Sequence, residues 1–250
     1  MTGVNEMCAR VLSVVIPAYN EERFIGTLLE RILAVDLASL GVRPEIVVVD
    51  DCSRDRTADI AGAFPGVVIR RHERNGGKGM AVRTGIAAAN GDYLIIQDAD
   101  LEYDPHDYLP MLEALRHGRA DAVYGSRYLT TNGRESGWRR LLGRKHPRQS
   151  WAAYLGGRSL SLVCLLATGR YLTDTVTALK LFLRPTIAGL PLETTGFELD
   201  HEITARLLAR GCRIVEVPIT YHPRSRAEGK KIGLRDWFIA ARTFARYRRG

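Results

Sequence analysis

Short apolar runs rich in β-branched residues alternate with amphipathic stretches through the first half of this 250-residue chain, and that alternation constrains the fold more than any other feature. Residues 12–16 read as a buried strand ending at Pro17, after which Phe24, Leu28, Ile32 and Val35 recur at helical spacing. A second strand is expected at 45–49, with Asp50, Asp51 and Ser53 as turn and cap residues before a helix over 57–64. Strands at 67–71, 93–97 and 122–125 then alternate with helices at 78–89 and 105–117. Five βα-type units within about 125 residues predict an α/β fold, its twisted sheet mostly parallel, flanked by helices and joined by right-handed crossovers.

The second half is less regular. A helix is expected within 151–168, a short strand at 179–182, a helix at 198–209 and an edge strand at 214–217 stopped by Pro218. A basic amphipathic helix closes the chain near 234–248. No repeat, low-complexity tract or linker divides it. The simplest organisation is one domain over 1–222 with a basic C-terminal extension, 223–250, that is not an independent domain.

Composition enters through charge. The chain carries a formal +8, yet residues 134–148 hold six basic residues against one acidic, and residues 223–250 hold nine against two. The remainder is therefore net negative, which argues against a uniformly basic nucleic-acid coat and leaves two local patches to explain. Cys8, Cys52, Cys164 and Cys212 show no paired spacing, so neither a disulfide framework nor a structural zinc site is expected. The N-terminus does not read as a signal peptide. The most apolar later stretch is 160–168; extended back to Trp151 it takes in Arg158 and is still shorter than a bilayer span. The expectation is a protein that is soluble or lies on a membrane.

Ligands of open α/β sheets bind beyond the carboxyl ends of the strands. Tyr19, Asn20 and Glu21 follow the first strand, Asp50 and Asp51 the second, and Asp98, Asp100 and Glu102 the fourth. So many carboxylates on one edge require compensation, and a divalent cation with a phosphate ligand supplies it. A D-x-D pair alone says little: with 14 Asp in 250 residues, chance alone supplies about one. The bland alternative is that these acids cap the helix beginning near Pro105, as Asp104 is placed to do; Ser53 or Asp55 has the same option one strand earlier. The run from Asn75 to Gly79 lacks Walker spacing, and reads either as a glycine turn entering a helix or as a phosphate neighbour through Lys78.

Taken together, VVIPAYNEE, VVVDDCSRDRT, NGGKGMAVRTG, GDYLIIQDADLE and YGSRY resemble, in order and spacing, an inverting family-2 glycosyltransferase of the GT-A (Rossmann-like) fold. The later DTVTALKLF, GFELDHEIT and EVPITYHPRSRAEGKKIG are similar to its polyprenyl-phosphate, dolichol-phosphate mannosyltransferase-like branch. The resemblance implies that Pro17, Tyr19, Glu21, Val49 and Asp51 frame the nucleotide base and ribose. It also implies that Asp98, Ala99 and Asp100 contact ribose and diphosphate. Asp100 would hold Mg²⁺ or Mn²⁺, with Asp98 and Glu102 as further ligands. Arg127 would face the acceptor phosphate or the diphosphate, and Arg224, Arg226 and Lys230 would close over the phosphates. Asp100, Arg127 and Arg226 are thus the implied catalytic residues. Glu102 departs from a family pattern with Gln there, and AEGKK replaces a GxSKL-type run.

The implied reaction moves a hexose from GDP-mannose or a UDP-glucose-class donor to a polyprenyl or dolichyl phosphate, on the cytoplasmic face of a membrane. An acceptor that is already an anion needs positioning rather than a strong base, which suits a site rich in arginine without an obvious catalytic His. Two alternatives stay open: the same fold acting on a soluble or saccharide acceptor, and a nucleic-acid-binding protein, which leaves the acidic cluster unexplained. The helix at 234–248 reads either as packing on its own domain or as lying on anionic lipid, and 151–168 as core or as a platform for the lipid tail. The histidines are read as structural or exposed, Asp174 as a candidate for the edge of the site, and 198–202 without a catalytic duty.

Overall fold

The computed structural model describes residues 9–117, 120–129, 151–223 and 234–248. Seven strands form one sheet: β1 (Arg10–Ala18), β2 (Val42–Asp50), β3 (Val67–Arg71), β4 (Tyr93–Ile96), β5 (Ala122–Ser126), β6 (Lys180–Leu183) and β7 (Ile214–Pro218). Their spatial order is β3-β2-β1-β4-β6-β5-β7. All neighbouring pairs are parallel except those of β6, which runs antiparallel to both β4 and β5. The expected strands are present within one to three residues at each end, and the 214–217 strand does lie at an edge.

Alternation along the strands builds a three-layer molecule. Leu12, Val14 and Ile16 of β1, with Ile46 and Val48 of β2, face one side. There they meet α1 (Ile25–Leu33), α2 (Thr57–Gly62) and α4 (Tyr108–His117) through Leu28, Ile32, Ala61, Met111 and Leu115. Val15, Leu94, Ile96, Tyr124 and Phe182 face the other side. They are covered by α3 (Lys78–Ala88), α5 (Trp151–Thr168), α7 (Leu199–Ala209) and α8 (Leu234–Tyr247), with a short α6 (Arg184–Ala188) after β6. Asp104 caps the 3-10 turn before α4 by accepting from His106 N at 3.0 Å, as its sequence position suggested.

For α8 the structure favours the packing alternative. Ala240, Thr243, Phe244 and Tyr247 are buried against the domain, and Trp237 Nε1 donates to Ser159 Oγ of α5 at 2.8 Å. Helical spacing groups Trp237, Phe238, Ala241, Phe244 and Ala245 on one apolar face, but Phe238 and Ala245 are exposed. Among the described residues, no helix is long and apolar enough to cross a membrane.

The approach of α3 to the sheet rests on one glycine. A Cβ at Gly85 would lie 2.2 Å from Val15 Cγ1, inside a fully buried layer. Gly85→Ala is expected to destabilise the chain by about 1–3 kcal/mol through overpacking, read as a lower urea midpoint at unchanged slope.

Candidate active site

Three adjacent strand ends shape a crevice. The register pairs Pro17 with Val49 and Ala18 with Asp50, while Val15 stands opposite Ile96, so the loops after β1, β2 and β4 emerge side by side. Each carries a non-glycine residue in the left-handed region: Asn20 (φ 55°), Cys52 (φ 64°) and Leu101 (φ 57°). These are the three such residues among those described, and such costly conformations persist where neighbouring contacts hold them. The holding contacts are present: Asn20 N donates to Ser53 Oγ, Glu21 N to Thr57 Oγ1, and Arg54 N back to Asn20 Oδ1. Pro17, Val49 and Ala99 are buried beneath the crevice, Tyr19 is exposed at its rim, and Glu21 is half-buried.

Asp51 organises the glycine loop. Its Oδ1 accepts from His72 Nδ1 at 2.7 Å and Gly76 N at 2.9 Å, and its Oδ2 accepts from Gly77 N at 2.8 Å. His72 continues to Thr84 Oγ1 at 2.9 Å, so this histidine ties the β3 end to α3. The loop then presses on the 195–196 backbone. A Cβ at Gly77 would sit 2.6 Å from Thr195 O, one at Gly79 would sit 2.6 Å from Thr195 C, and Met80 N donates to Thr195 O. The glycines are thus required for close backbone approach.

Lys78 is not turned outward. Its Nζ lies 2.7 and 3.0 Å from the two oxygens of Asp98 and 3.3 Å from Asp200 Oδ2, with the Phe197 ring alongside. Burial disfavours the ammonium, but Asp200 and Asp98 outweigh that and raise its pKa. Asp98, expected as a metal ligand, has the Lys78 ammonium against its carboxylate, and Asp100 and Glu102 lie on the turn that follows. Glu102 N donates to Asp100 Oδ1 at 3.2 Å, and Glu102 Oε2 accepts from Tyr221 Oη at 2.8 Å. Among the described residues, no three His, Cys, Asp or Glu side chains converge as a metal cage. Two hard carboxylates on one turn still fit Mg²⁺ or Mn²⁺, because such ions are commonly held by one or two carboxylates plus substrate phosphates.

Arg127, immediately after β5, is fixed before any ligand arrives. Its Nε and Nη2 donate to the buried Asp174 at 2.6 and 2.8 Å, and its guanidinium lies 5.1 Å from the Tyr221 ring centroid. Asp174 is in turn held by Glu216, whose Oε1 accepts from Asp174 N and Thr173 Oγ1. Tyr103, stacked near Tyr221 and buried, has its hydroxyl pKa pushed up to about 12. Arg224, Arg226 and Lys230, like the basic run 134–148, lie outside the described residues.

Sequence reasoning passes over Lys180, gives Asp200 no duty and reads His72 only as structural or exposed. Lys180 is fully buried and its Nζ is 2.9 Å from Asp200 Oδ1. The signal available was a lysine inside an apolar strand pattern, which demands a partner.

The fold and this strand-end site define an α/β glycosyltransferase, and the chain belongs to the Glycosyl transferase family 2, whose model matches residues 13–169. It is 33% identical over 229 residues to a dolichol-phosphate mannosyltransferase of Pyrococcus furiosus, covering 89% of this chain and 59% of that protein. It is also 33% identical over 227 residues to a dodecaprenyl-phosphate galacturonate synthase of Rhizobium johnstonii, covering 88% and 61%. The chain thus spans about three-fifths of the length of these relatives. A solved structure of glucosyl-3-phosphoglycerate synthase from Mycobacterium tuberculosis, in complex with Mn²⁺, UDP and glucosyl-3-phosphoglycerate, matches with a TM-score of 0.65 at 21% identity. That match covers 95% of this chain and 80% of that one, and establishes the shared GT-A fold.

The site neighbourhood also contains a pH-sensitive group. His201 is buried against Phe244, and burial, with Lys180 nearby, lowers its pKa to about 4. Between pH 6.5 and 4 the unfolded chain binds a proton at this position that the folded chain refuses, so stability falls as pH falls through that window. Acidification from pH 7 to 4.5 is expected to cost about 2–3 kcal/mol through His201. His201→Gln should flatten that part of the curve in urea titrations at each pH.

Proposed function

We propose that this glycosyltransferase moves a hexose from a nucleotide sugar to a polyprenyl phosphate, on a membrane surface. The observation that carries this reading is the loop 98–102 beside the Asp51-held glycine loop, with the fixed Arg127 across from it. The names of the relatives support the lipid phosphate as acceptor, and the UDP bound in the Mycobacterium tuberculosis structure supports a nucleotide sugar as donor.

Pro17, Tyr19, Val49 and Asp51 frame the nucleotide, and the buried strand ends exclude water beneath it. Asp98, oriented by Lys78, accepts from a donor hydroxyl. Asp100 and Glu102 hold Mg²⁺ or Mn²⁺, which when bound takes charge off the diphosphate leaving group. Arg127 has two nitrogens committed to Asp174, which leaves Nη1 to meet the acceptor phosphate in a preset direction. Arg224, Arg226 and Lys230 add positive charge from the 223–250 segment. The acceptor is an anion near neutral pH, so no side chain has to remove a proton from it. Attack on the face opposite the leaving group inverts the anomeric carbon.

Incubation with radiolabelled GDP-mannose or UDP-glucose and a polyprenyl phosphate, followed by organic extraction, tests this. Label should enter the organic phase, and label transferred only to aqueous acceptors would defeat the lipid assignment. Asp100→Ala should lower transfer at least 100-fold without changing the melting temperature. EDTA should abolish transfer and added MnCl₂ or MgCl₂ restore it.

The membrane surface has its own support. Trp151, Leu155, Leu162 and Leu166 are each more than half exposed on α5. Their spacing places them within roughly 60° of one helical face. On α8, which packs on α5 through Trp237 and Ser159, Phe238, Arg235 and Arg242 are exposed, while Arg246 pairs with Glu193 at 3.0 Å. An exposed apolar stripe and exposed arginines on the helix packed against it fit anionic lipid. The stripe also connects to the site: Trp151 packs on Tyr154, Tyr154 on Tyr128, and Tyr128 follows Arg127. Wild-type protein should float with phosphatidylcholine vesicles containing phosphatidylglycerol. Leu162→Glu with Leu166→Glu should lose most of that binding while melting as wild type does.

A further inference from the structure

Four charged side chains from four elements form one chain of contacts: Asp98 after β4, Lys78 at the start of α3, Asp200 in the first turn of α7 and Lys180 at the start of β6. Their charges alternate and cancel. Asp200 divides its oxygens, Oδ2 to Lys78 at 3.3 Å and Oδ1 to Lys180 at 2.9 Å. Lys180 also donates to Asp200 O at 3.3 Å, and its ammonium lies over the Tyr124 ring. Tyr124 Oη and Asp200 O both bond Thr204 Oγ1, which anchors the group to the sheet.

We infer that Asp200 is a positioning residue of the donor site: it holds Lys78, Lys78 holds both oxygens of Asp98, and Lys180 is the fixed counter-charge that lets Asp200 stay buried. The inference rests on the proposal that Asp98 meets the donor. Three geometric facts lead to it. Lys78 alone would be a flexible four-carbon stem, and a second carboxylate on its far side restricts where its ammonium can stand. Lys180 has no freedom of its own, being fully buried between β4 and β5. The 195–200 segment and the start of α3 are already in backbone contact at Gly77, Gly79 and Thr195, so the two ends of the linkage move together. With each oxygen on an ammonium, Asp200 is poorly placed to take a proton from an acceptor, which separates this role from general-base catalysis.

Two double variants of the full chain test it. Lys180→Met with Asp200→Asn and Lys180→Met with Asp200→Ala each remove one charge of either sign, so neither leaves an unpaired buried charge. The first keeps an oxygen facing Lys78 and the second does not. GDP and UDP are titrated calorimetrically with MnCl₂ present, and sugar transfer is measured alongside. The Asn double should bind the nucleotide within about threefold of wild type, and the Ala double about tenfold more weakly. Equal affinity in the two doubles overturns the inference. So does an Asn double that binds nucleotide as wild type does yet transfers no sugar, since Asp200 would then serve the acceptor. Wild-type chain that binds neither nucleotide defeats the donor-site reading itself, and the inference with it.

Discussion

A lysine buried at the start of a reversed strand is the constraint around which this site is arranged. Lys180 cannot keep its charge inside a sheet without a carboxylate, and Asp200 of α7 provides one. Burial alone would raise the Asp200 pKa, but the ammoniums of Lys180 and Lys78 hold it well below the ordinary carboxylate range. Asp200 thereby couples the helix layer to the start of α3, and α3 carries the loop that Asp51 grips. Removing Asp200 strands Lys180 and loosens Lys78, so the chain of contacts is coupled through that carboxylate.

The reversal of β6 matters as much as its lysine. Because β6 runs against β4 and β5, the residues that precede it lie at the carboxyl edge of the parallel strands. That brings Asp174 to Arg127 and Lys180 to the base of the crevice. Arg127 is consequently oriented by a buried bidentate pair, with Glu216 steadying Asp174 from β7. Elsewhere in the crevice, left-handed residues turn the loops after β1, β2 and β4, and side-chain bonds between the first two secure their turns. One part of the crevice is built from backbone strain and its restraints, the other from buried ion pairs.

Much of this was legible before any coordinates. The strand periods, the acids at strand ends and the Asp104 cap follow from local rules, since short β-branched runs and polar ends each have a direct physical meaning. What spacing leaves open is the partner of each side chain. His72 belongs with the histidines read as structural or exposed, and the partners that make it structural are Asp51 and Thr84. Lys78 reads from sequence either as part of a glycine turn or as a phosphate neighbour, and its ammonium faces Asp98 and Asp200. Asp98, expected as a metal ligand, has that lysine beside it. Each assignment depended on a partner 12 to 122 positions away, and spacing along the chain carries no information about such pairs.

The sequence by itself determined the class of fold, the edge of the sheet where chemistry occurs and the supply of hard oxygen donors there. Those properties are local: hydrophobic period selects the elements, and the strand-to-helix order selects the topology. Only the tertiary structure decided which acid meets which base: Asp98 and Asp200 meet Lys78, and Asp174 meets Arg127. It did so through the direction of β6 and the packing of α7 and α8. A strand of four residues reads identically in either direction, and pairing with its neighbours alone orients it.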